Sequence, residues 1–321
     1  MTTRRFTRRV LAALALSIAP LALHAAEPLR LVVGFAPGGG VDTLARVTAQ
    51  ALSKELDRTV IVENKSGAGG TIAADYVAKA QPDGNTVLFA DTSLLVAPYI
   101  YPALRYDLQR DFASAGMVGQ SDLALAVPGN SPIKTVAELV EAIRKAPPQT
   151  ETFASVGVGS LHHLGGELFA LKTQSELVHV PYRGGAPASQ ALAAGEVSMS
   201  FASLASSVGL ANSGRIRLLA TLSERRFPGM PDLPAVAETI PGYSVTPSLF
   251  LLAPKSVDPA FIQTLSSALE KSMNQKEVQD AFLAQGSVAG YQSAQATQQW
   301  LGEETVRWAG VIKDAKLTFK Q

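Results

Sequence analysis

Three glycine-bearing loops are the parts of this sequence best suited to bind a small anion. They span residues 36–40, 157–160 and 183–186, and each follows a short, mostly apolar run and precedes a run with helical periodicity. Glycine lets the backbone approach a bound group closely, and the first N–H groups of a helix, with its dipole, favour negative charge. Together the loops predict a site in which backbone N–H groups bind a carboxylate. Any one loop taken alone is equally explained as an ordinary strand-to-helix turn.

The first loop also has the glycine spacing of a dinucleotide-binding turn. Gly34, Gly38 and Gly40 follow an apolar run, and Glu63 lies about 20 residues further on, where an acid could bind a ribose. Pro37 stiffens this loop, and an exported protein meets little reduced nicotinamide cofactor. An α/β oxidoreductase that binds nicotinamide at residues 34–40 is therefore the alternative function.

Ser160 and His163 have the residue types of a nucleophile and its base. A better explanation is that Ser160 caps the helix that follows, with His163 at the third helical position. A hydrolase would lose ester turnover in Ser160→Ala.

A metal site near His162 is not favoured, because His163 and Glu167 supply only two metal ligands at i, i+4 spacing. No catalytic residue, metal or cofactor is predicted.

The first 26 residues have the pattern of a secretory signal peptide. Residues 10–23 are apolar and contain Pro20, and cleavage is expected near Ala25 or Ala26. The basic region before them consists of Arg4, Arg5, Arg8 and Arg9. This apolar run is shorter than the roughly 20 residues of a membrane-spanning helix. A periplasmic location is predicted.

The composition favours a compact exported protein that does not bind nucleic acid. Of 321 residues, 47% are hydrophobic and 17% charged. Without the four leader arginines the 28 basic residues fall to 24 against 27 acidic residues, a net charge of −3, which gives no reason to expect a nucleic-acid partner. The absence of cysteine excludes disulfides and thiolate metal sites.

The strand–loop–helix order repeats along the chain and predicts parallel sheets covered by helices on both faces. Breaks near Val127 and Arg226 suggest that a middle domain is inserted into a first domain. The predicted lobes are residues 27–126 with 226–321 and residues 127–225. Two chain crossings would form a hinge, and the cleft between the lobes a ligand site.

Several motifs resemble those of the Bug-type periplasmic solute-binding proteins of tripartite tricarboxylate transporters. They follow the family order over essentially the whole mature chain. The matching stretches are Phe35-Ala-Pro-Gly-Gly-Gly-Val-Asp42 with Ala45-Arg46, Val62-Glu-Asn-Lys-Ser-Gly-Ala-Gly-Gly70, Ala78-Lys-Ala-Gln-Pro-Asp-Gly84, Gly159-Ser-Leu-His-His-Leu164 and Val180-Pro-Tyr-Arg-Gly184.

This resemblance implies a two-lobed α/β fold of the periplasmic-binding-protein type, a type II-like Venus flytrap. It implies a monomeric, non-enzymatic receptor that captures a small carboxylated metabolite between its lobes and delivers it to membrane permease subunits. The ligand-binding residues that it implies are Ala36, Pro37, Gly38, Gly39, Asp42, Thr92 and Ser93 in the first lobe, and Ser155, Gly157, Ser160, His163, Tyr182, Gly184 and Ala202 in the second.

Ala202 is a departure from the family pattern. Phe201-Ala202 stands where members often have Phe-Asp near the cleft. Loss of that carboxylate would remove a partner for a ligand ammonium group. The expected ligand is therefore a carboxylate without an amino group, such as a citrate-like, dicarboxylic or aromatic acid. Ser66 and Asn85 also depart from the pattern, away from the expected site.

Overall fold

The computed structural model of the protein describes residues 27–38, 40–101, 103–182 and 184–314. The predicted leader (1–26), with its expected cleavage at Ala25 or Ala26, and Gly39 of the first glycine loop lie outside the described residues. Within the described ranges, no helix is both long enough and apolar enough to cross a membrane.

Strands and helices alternate along much of the chain. The strands are β1 (Leu29–Val33), β2 (Val60–Asn64), β3 (Thr86–Asp91), β4 (Phe112–Ser121), β5 (Leu123–Pro128), β6 (Thr152–Ser155), β7 (Val178–Pro181), β8 (Met199–Ser203), β9 (Ile216–Thr221), β10 (Ser248–Pro254) and β11 (Ser287–Gln292). The helices are α1 (Gly40–Glu55), α2 (Thr71–Ala78), α3 (Ser93–Ile100), α4 (Val136–Lys145), α5 (Leu161–Thr173), α6 (Gly185–Ala194), α7 (Leu204–Asn212), α8 (Pro259–Met273), α9 (Lys276–Ala284) and α10 (Ala294–Asp314).

The first sheet has six strands in the order β11-β4-β10-β3-β1-β2. Strand β1 pairs in parallel with β2 and β3, and its apolar side chains are fully buried, as expected for a strand covered by helices on both faces. Strand β10 is antiparallel to β3 and β4. The predicted parallel arrangement therefore holds only for the β1–β2–β3 part, because β10 enters this sheet after the chain returns from the second lobe.

The second sheet has five strands in the order β7-β6-β8-β5-β9. Its β6, β7 and β8 strands are parallel, whereas β5 is antiparallel to both β8 and β9. The two sheets, each with its own helices, give the predicted two-lobed α/β fold. In both lobes the parallel strands lead into helices at their carboxyl ends, where such sheets bind ligands.

The first crossing between the lobes lies at Asp122. Strand β4 ends at Ser121 in the first sheet, and β5 begins at Leu123 in the second. The predicted boundary after residue 126 is therefore wrong for residues 123–126. The proline- and glycine-rich break that follows marks the end of β5, while the crossing is a single polar residue between two apolar strands.

The return crossing lies near Pro247, whose carbonyl accepts a hydrogen bond from the Ser121 N–H (2.8 Å). The predicted boundary after residue 225 is also wrong, because residues 226–245 pack on the second lobe. Phe227 joins a buried cluster there, and Tyr243 is fully buried with its hydroxyl donating to a carbonyl of α5 (2.9 Å). This proline-rich segment has the composition of a linker, but its aromatic side chains belong to a core.

Candidate functional site

A cavity of about 530 Å³ lies between the two lobes, at the carboxyl ends of strands from both sheets. The first lobe contributes Ala36, Gly40, Asp91, Ser93, Ile100 and Tyr101. The second contributes Gly157, Gly159, Ser160, His162, Gly184 and Ser203. Asp122, Pro247 and Gln285 line it near the crossings. Its volume falls in the range of small-molecule sites.

The second-lobe wall is built from the amino ends of three helices, α5, α6 and α7. Ser160 caps α5, accepting a hydrogen bond from the His163 N–H (3.2 Å), while its own hydroxyl donates to the Gly157 carbonyl (2.7 Å). Gly184 precedes α6, and Ser203 caps α7. The first turn of each helix carries N–H groups without intrahelical partners, and no acidic residue lies in the first turn of α5, α6 or α7. This wall favours an anion.

In the first lobe, the carboxylate of Asp42 already occupies the amino end of α1. It is 2% exposed and accepts hydrogen bonds from the Gly38 N–H (2.9 Å), the Arg46 guanidinium (2.9 and 3.0 Å) and the Asn64 amide (2.8 Å). Burial raises the pKa of Asp42, but the hydrogen bonds from Arg46, Asn64 and Gly38 outweigh it and hold the pKa below its usual value. Asp42 therefore holds the first glycine loop in position through its hydrogen bonds, and it does not line the cavity.

Asp42→Ala is expected to lower the free energy of unfolding by about 2 kcal/mol, because it removes the acidic residue from the first turn of α1 and leaves the Gly38 N–H without its acceptor. Asp75→Ala is the matched control, since Asp75 forms an exposed i, i+4 pair with Lys79 and should cost no more than about 0.5 kcal/mol. Urea unfolding measures both. Equal effects would mean that the Asp42 network adds nothing beyond an ordinary surface pair.

Two buried acids stand at the cavity wall. Asp91, 7% exposed, accepts a hydrogen bond from the Ser93 N–H (2.9 Å) at the start of α3. Asp122, 5% exposed, has no hydrogen-bond partner for its Oδ1 atom within the described part of the protein. Burial raises the pKa of each to about 6, and hydrogen bonds from Ser93 and Ser223 respectively oppose that rise.

His162 faces the cavity, whereas His163 points away from it. The Nδ1 atom of His163 accepts a hydrogen bond from the Gly159 N–H (3.1 Å), and its ring stacks on His179 with centroids 3.8 Å apart. His179 in turn bonds Ser155 (2.6 Å). Neither ring nitrogen of His162 has a hydrogen-bond partner among the described residues, and burial lowers its pKa to about 4. His162 is therefore a neutral imidazole.

The predicted ligand-binding residues divide into two groups. Those that line the cavity are Ala36, Ser93, Gly157, Ser160 and Gly184. Those that do not line it, among the described residues, are Pro37, Gly38, Asp42, Thr92, Ser155, His163, Tyr182 and Ala202. Gly39 stays a prediction, since it lies outside the described residues.

Three of the residues that do not line the cavity are held or buried within the protein. Thr92 exchanges hydrogen bonds with the Ser248 backbone (2.8 and 3.3 Å), and the Tyr182 hydroxyl contacts Glu196 (3.4 Å). Ala202 is 1% exposed in β8. These contacts lie within the protein itself, and none of the three residues lines the cavity.

Asp91, Asp122 and His162 were missing from the predicted site. Asp91 ends a buried apolar strand, the position where a polar side chain reaches the ligand edge of a sheet, so the sequence did carry a signal for it. Asp122 lies between two apolar strands and could be recognised only once the crossing was placed there. His162 and His163 are adjacent, and the sequence alone does not show which ring faces the cleft.

The glycine spacing of the first loop has a structural explanation. A Cβ atom at Gly34 would lie 2.5 Å from the Gly70 Cα atom, so Gly34 is required by close packing of two loops. Gly38 has φ = +79° and its N–H is bound by Asp42. Neither of these two glycines lines the cavity among the described residues, whereas Gly40, the third glycine of the spacing, does. Among these residues there is also no cluster of potential metal ligands.

Two α/β lobes joined by two crossings, with a cavity between them, define a periplasmic binding protein of the Venus-flytrap type. A family model described as "Tripartite tricarboxylate transporter family receptor" matches residues 44–317. The chain belongs to this family, whose members are solute-binding proteins of the periplasm.

Individual relatives agree with this assignment. Protein BugT of Bordetella pertussis is 33% identical over 92% of this chain and 92% of its own length. The structure of R. palustris Rpa4515 with adipate has a TM-score of 0.83 and 31% identity, covering 91% of this chain and 98% of that one. MatC from Rhodopseudomonas palustris with bound malate has a TM-score of 0.78 and 27% identity, covering 89% and 99%.

Proposed function

We propose that this protein is a non-catalytic receptor that closes its two lobes over a small carboxylated metabolite. The observation that carries the proposal is the second-lobe wall, where α5, α6 and α7 begin at the cavity without an acidic residue in their first turns. The ligand carboxylate binds there, near Gly157, Ser160 and Gly184. The adipate and malate bound by two structural neighbours support this class of ligand.

The same proposal includes the route of the ligand. The chain is exported by its N-terminal leader, acts in the periplasm as a monomer and passes its ligand to the permease subunits of a tripartite tricarboxylate-type transporter. Family membership supports the permease partner. Binding stabilises the closed arrangement only to the extent that the ligand makes contacts with both lobes that the open form lacks.

A thermal-unfolding panel tests the proposal on mature protein from about residue 27, after unfolding and refolding to remove any carried ligand. The panel holds mono- and dicarboxylates, amino acids and nicotinamide cofactors. A ligand at a hundred times its Kd stabilises the folded protein by about 2.7 kcal/mol, which is a rise of several degrees. A response to acids is expected, whereas a response only to a nicotinamide cofactor would favour the oxidoreductase alternative.

Gly40→Leu tests whether a ligand-induced rise in the unfolding temperature comes from binding in the cavity. Gly40 lines the cavity at the start of α1, has no positive φ, and a Cβ atom there meets nothing within 4 Å. The leucine is therefore tolerated by the fold and occupies ligand space. Gly209→Leu is the control, because Gly209 is also helical with open space but lies outside the cavity lining. We expect loss of the ligand response only in Gly40→Leu.

A further inference from the structure

We propose that the natural ligand carries a protonated amine in addition to its carboxylate, with the amine bound at Asp122 and the carboxylate at the second-lobe helix ends. The inference rests on the proposed function, because it assigns a ligand class to the same cavity. It makes Asp122 a specificity-determining residue, which selects amino acids over dicarboxylates.

Asp122 is a cavity-lining carboxylate held in a fixed position, with one of its two oxygens, Oδ1, lacking a hydrogen-bond partner among the described residues. Its backbone is tied to two other segments, since its N–H donates to the Gly286 carbonyl (2.9 Å) and its carbonyl accepts from the Leu204 N–H (3.0 Å). The side chain lines the cavity, and Oδ1 is buried without a hydrogen-bond partner among the described residues. A buried polar atom without a partner is costly unless a ligand or ordered water satisfies it.

Asp91 adds a second negative group to the same cavity. Its Oδ1 accepts the Ser93 N–H, so the carboxylate is held in place at the start of α3. Among the described residues that line the cavity, there is no lysine or arginine to balance these two acids. A dicarboxylate would bring two further negative charges close to these acids, whereas an ammonium group would balance one of them.

Different sides of the cavity favour opposite charges on the ligand. The starts of α5 and α6 favour the negative end of a ligand, whereas Asp91 and Asp122, which lies beside the start of α7, favour a positive end. In the first lobe the helix starts of α1 and α3 are each already bound by an aspartate, Asp42 and Asp91. An amino acid matches this arrangement with one charge toward each wall, and a dicarboxylate matches only one of them.

The raised pKa of Asp122 is consistent with this arrangement. Burial is the cause, and with a pKa of about 6 the carboxyl is mostly ionised at pH 7.5 but has no cation beside it in the described structure. The expectation of a ligand without an amino group, which was drawn from Ala202, stays a prediction that this inference opposes. Ala202 is buried and does not line the cavity, whereas Asp122 places a carboxylate in the lining.

Matched ligand pairs test the inference without any substitution. Isothermal titration calorimetry at pH 7.5 compares adipate with 6-aminohexanoate, succinate with 4-aminobutyrate, and malate with aspartate, on refolded mature protein. In at least one pair the amino compound should bind about tenfold or more tightly than its partner, the ratio expected for a hydrogen bond to a charged group.

Asp122→Asn then assigns the preference to a residue. The substitution keeps the shape and removes the charge, so the amino compound should lose about tenfold in affinity while its non-amino partner gains affinity. Asp232→Asn, an exposed aspartate in the second lobe, should change neither. Circular dichroism establishes that each variant is folded before titration.

Several outcomes would overturn the inference. Tighter binding of the dicarboxylates, abolished by Gly40→Leu, would leave the proposed function standing and refute the ammonium site. Adipate binding that tightens between pH 8 and pH 5 and loses this dependence in Asp122→Asn would make Asp122 a neutral hydrogen-bond donor to an anion. No binding by any acid or amino acid would refute the proposed function and this inference together.

Discussion

Gly159→Ala is expected to weaken ligand binding by roughly fivefold to 150-fold, because it drives a methyl group between the two lobes. A Cβ atom at Gly159 in the second lobe would lie 2.1 Å from the Cδ1 atom of Ile100 in the first. Overpacking of this kind costs about 1–3 kcal/mol. Because the two residues belong to different lobes, we expect the cost to fall on the arrangement in which they touch, and to appear as a loss of apparent affinity of that size.

Two further variants separate the contact between lobes from strain at Gly159 itself. Gly159 has φ = +77° and Gly195 has φ = +75°, but a Cβ atom at Gly195 would meet nothing within 4 Å. Gly195→Ala therefore carries the same backbone strain without the clash. Ile100→Ala removes all three side-chain atoms that crowd Gly159. Gly159→Ala combined with Ile100→Ala should therefore regain most of the lost affinity.

Small-angle scattering gives a second readout that does not depend on affinity. At saturating ligand, Gly159→Ala should have a larger radius of gyration than the unsubstituted protein, whereas Gly195→Ala should match it. If the double variant binds as weakly as Gly159→Ala alone, the loss comes from the loop backbone, and Ile100 is not a closing contact.

The fold was largely predictable because the glycine loops mark the carboxyl ends of parallel strands. The loops at 36–40 and 157–160 each follow a buried strand and open a helix, as the sequence predicted. The lobe boundaries were not predictable in the same way. Turn-forming residues after Val127 and around Arg226 are strong local signals, but strand β5 and residues 226–245 are assigned to the second lobe by pairing and packing with distant segments.

Among the predicted site residues, loop glycines reach the cavity, whereas several of the polar side chains do not. Gly157 and Gly184 line the cavity because loop position is determined by strand order. Asp42, His163 and Ser155 have the right chemistry and neighbourhood, yet each bonds another part of its own lobe. Which way a polar side chain turns depends on partners that come from elsewhere in the chain, such as Asn64 and His179, and local sequence does not specify these.

The ligand-free protein should be less stable at neutral pH than it would be without the Asp122 charge. Burial raises the pKa of Asp122 to about 6 in the folded protein, against about 3.9 in an unfolded chain. The folded state therefore binds more protons than the unfolded state between these values. Stability falls as pH rises from about 4, and above about 6 the full penalty of about 3 kcal/mol is present.

Asp122→Asn should consequently raise the free energy of unfolding at pH 7.5 by up to about 3 kcal/mol and leave it nearly unchanged at pH 4. His162 acts in the opposite direction, because burial lowers its pKa to about 4 and the folded protein loses stability as pH falls below about 6.5. The His162 contribution is the same in the unsubstituted protein and in Asp122→Asn, so it cancels in the difference between their free energies of unfolding. Urea unfolding at several pH values between 4 and 7.5 measures the difference, with Asp232→Asn as the exposed control. A constant difference across this range would show that Asp122 titrates normally, so that burial imposes no measurable penalty on its charge.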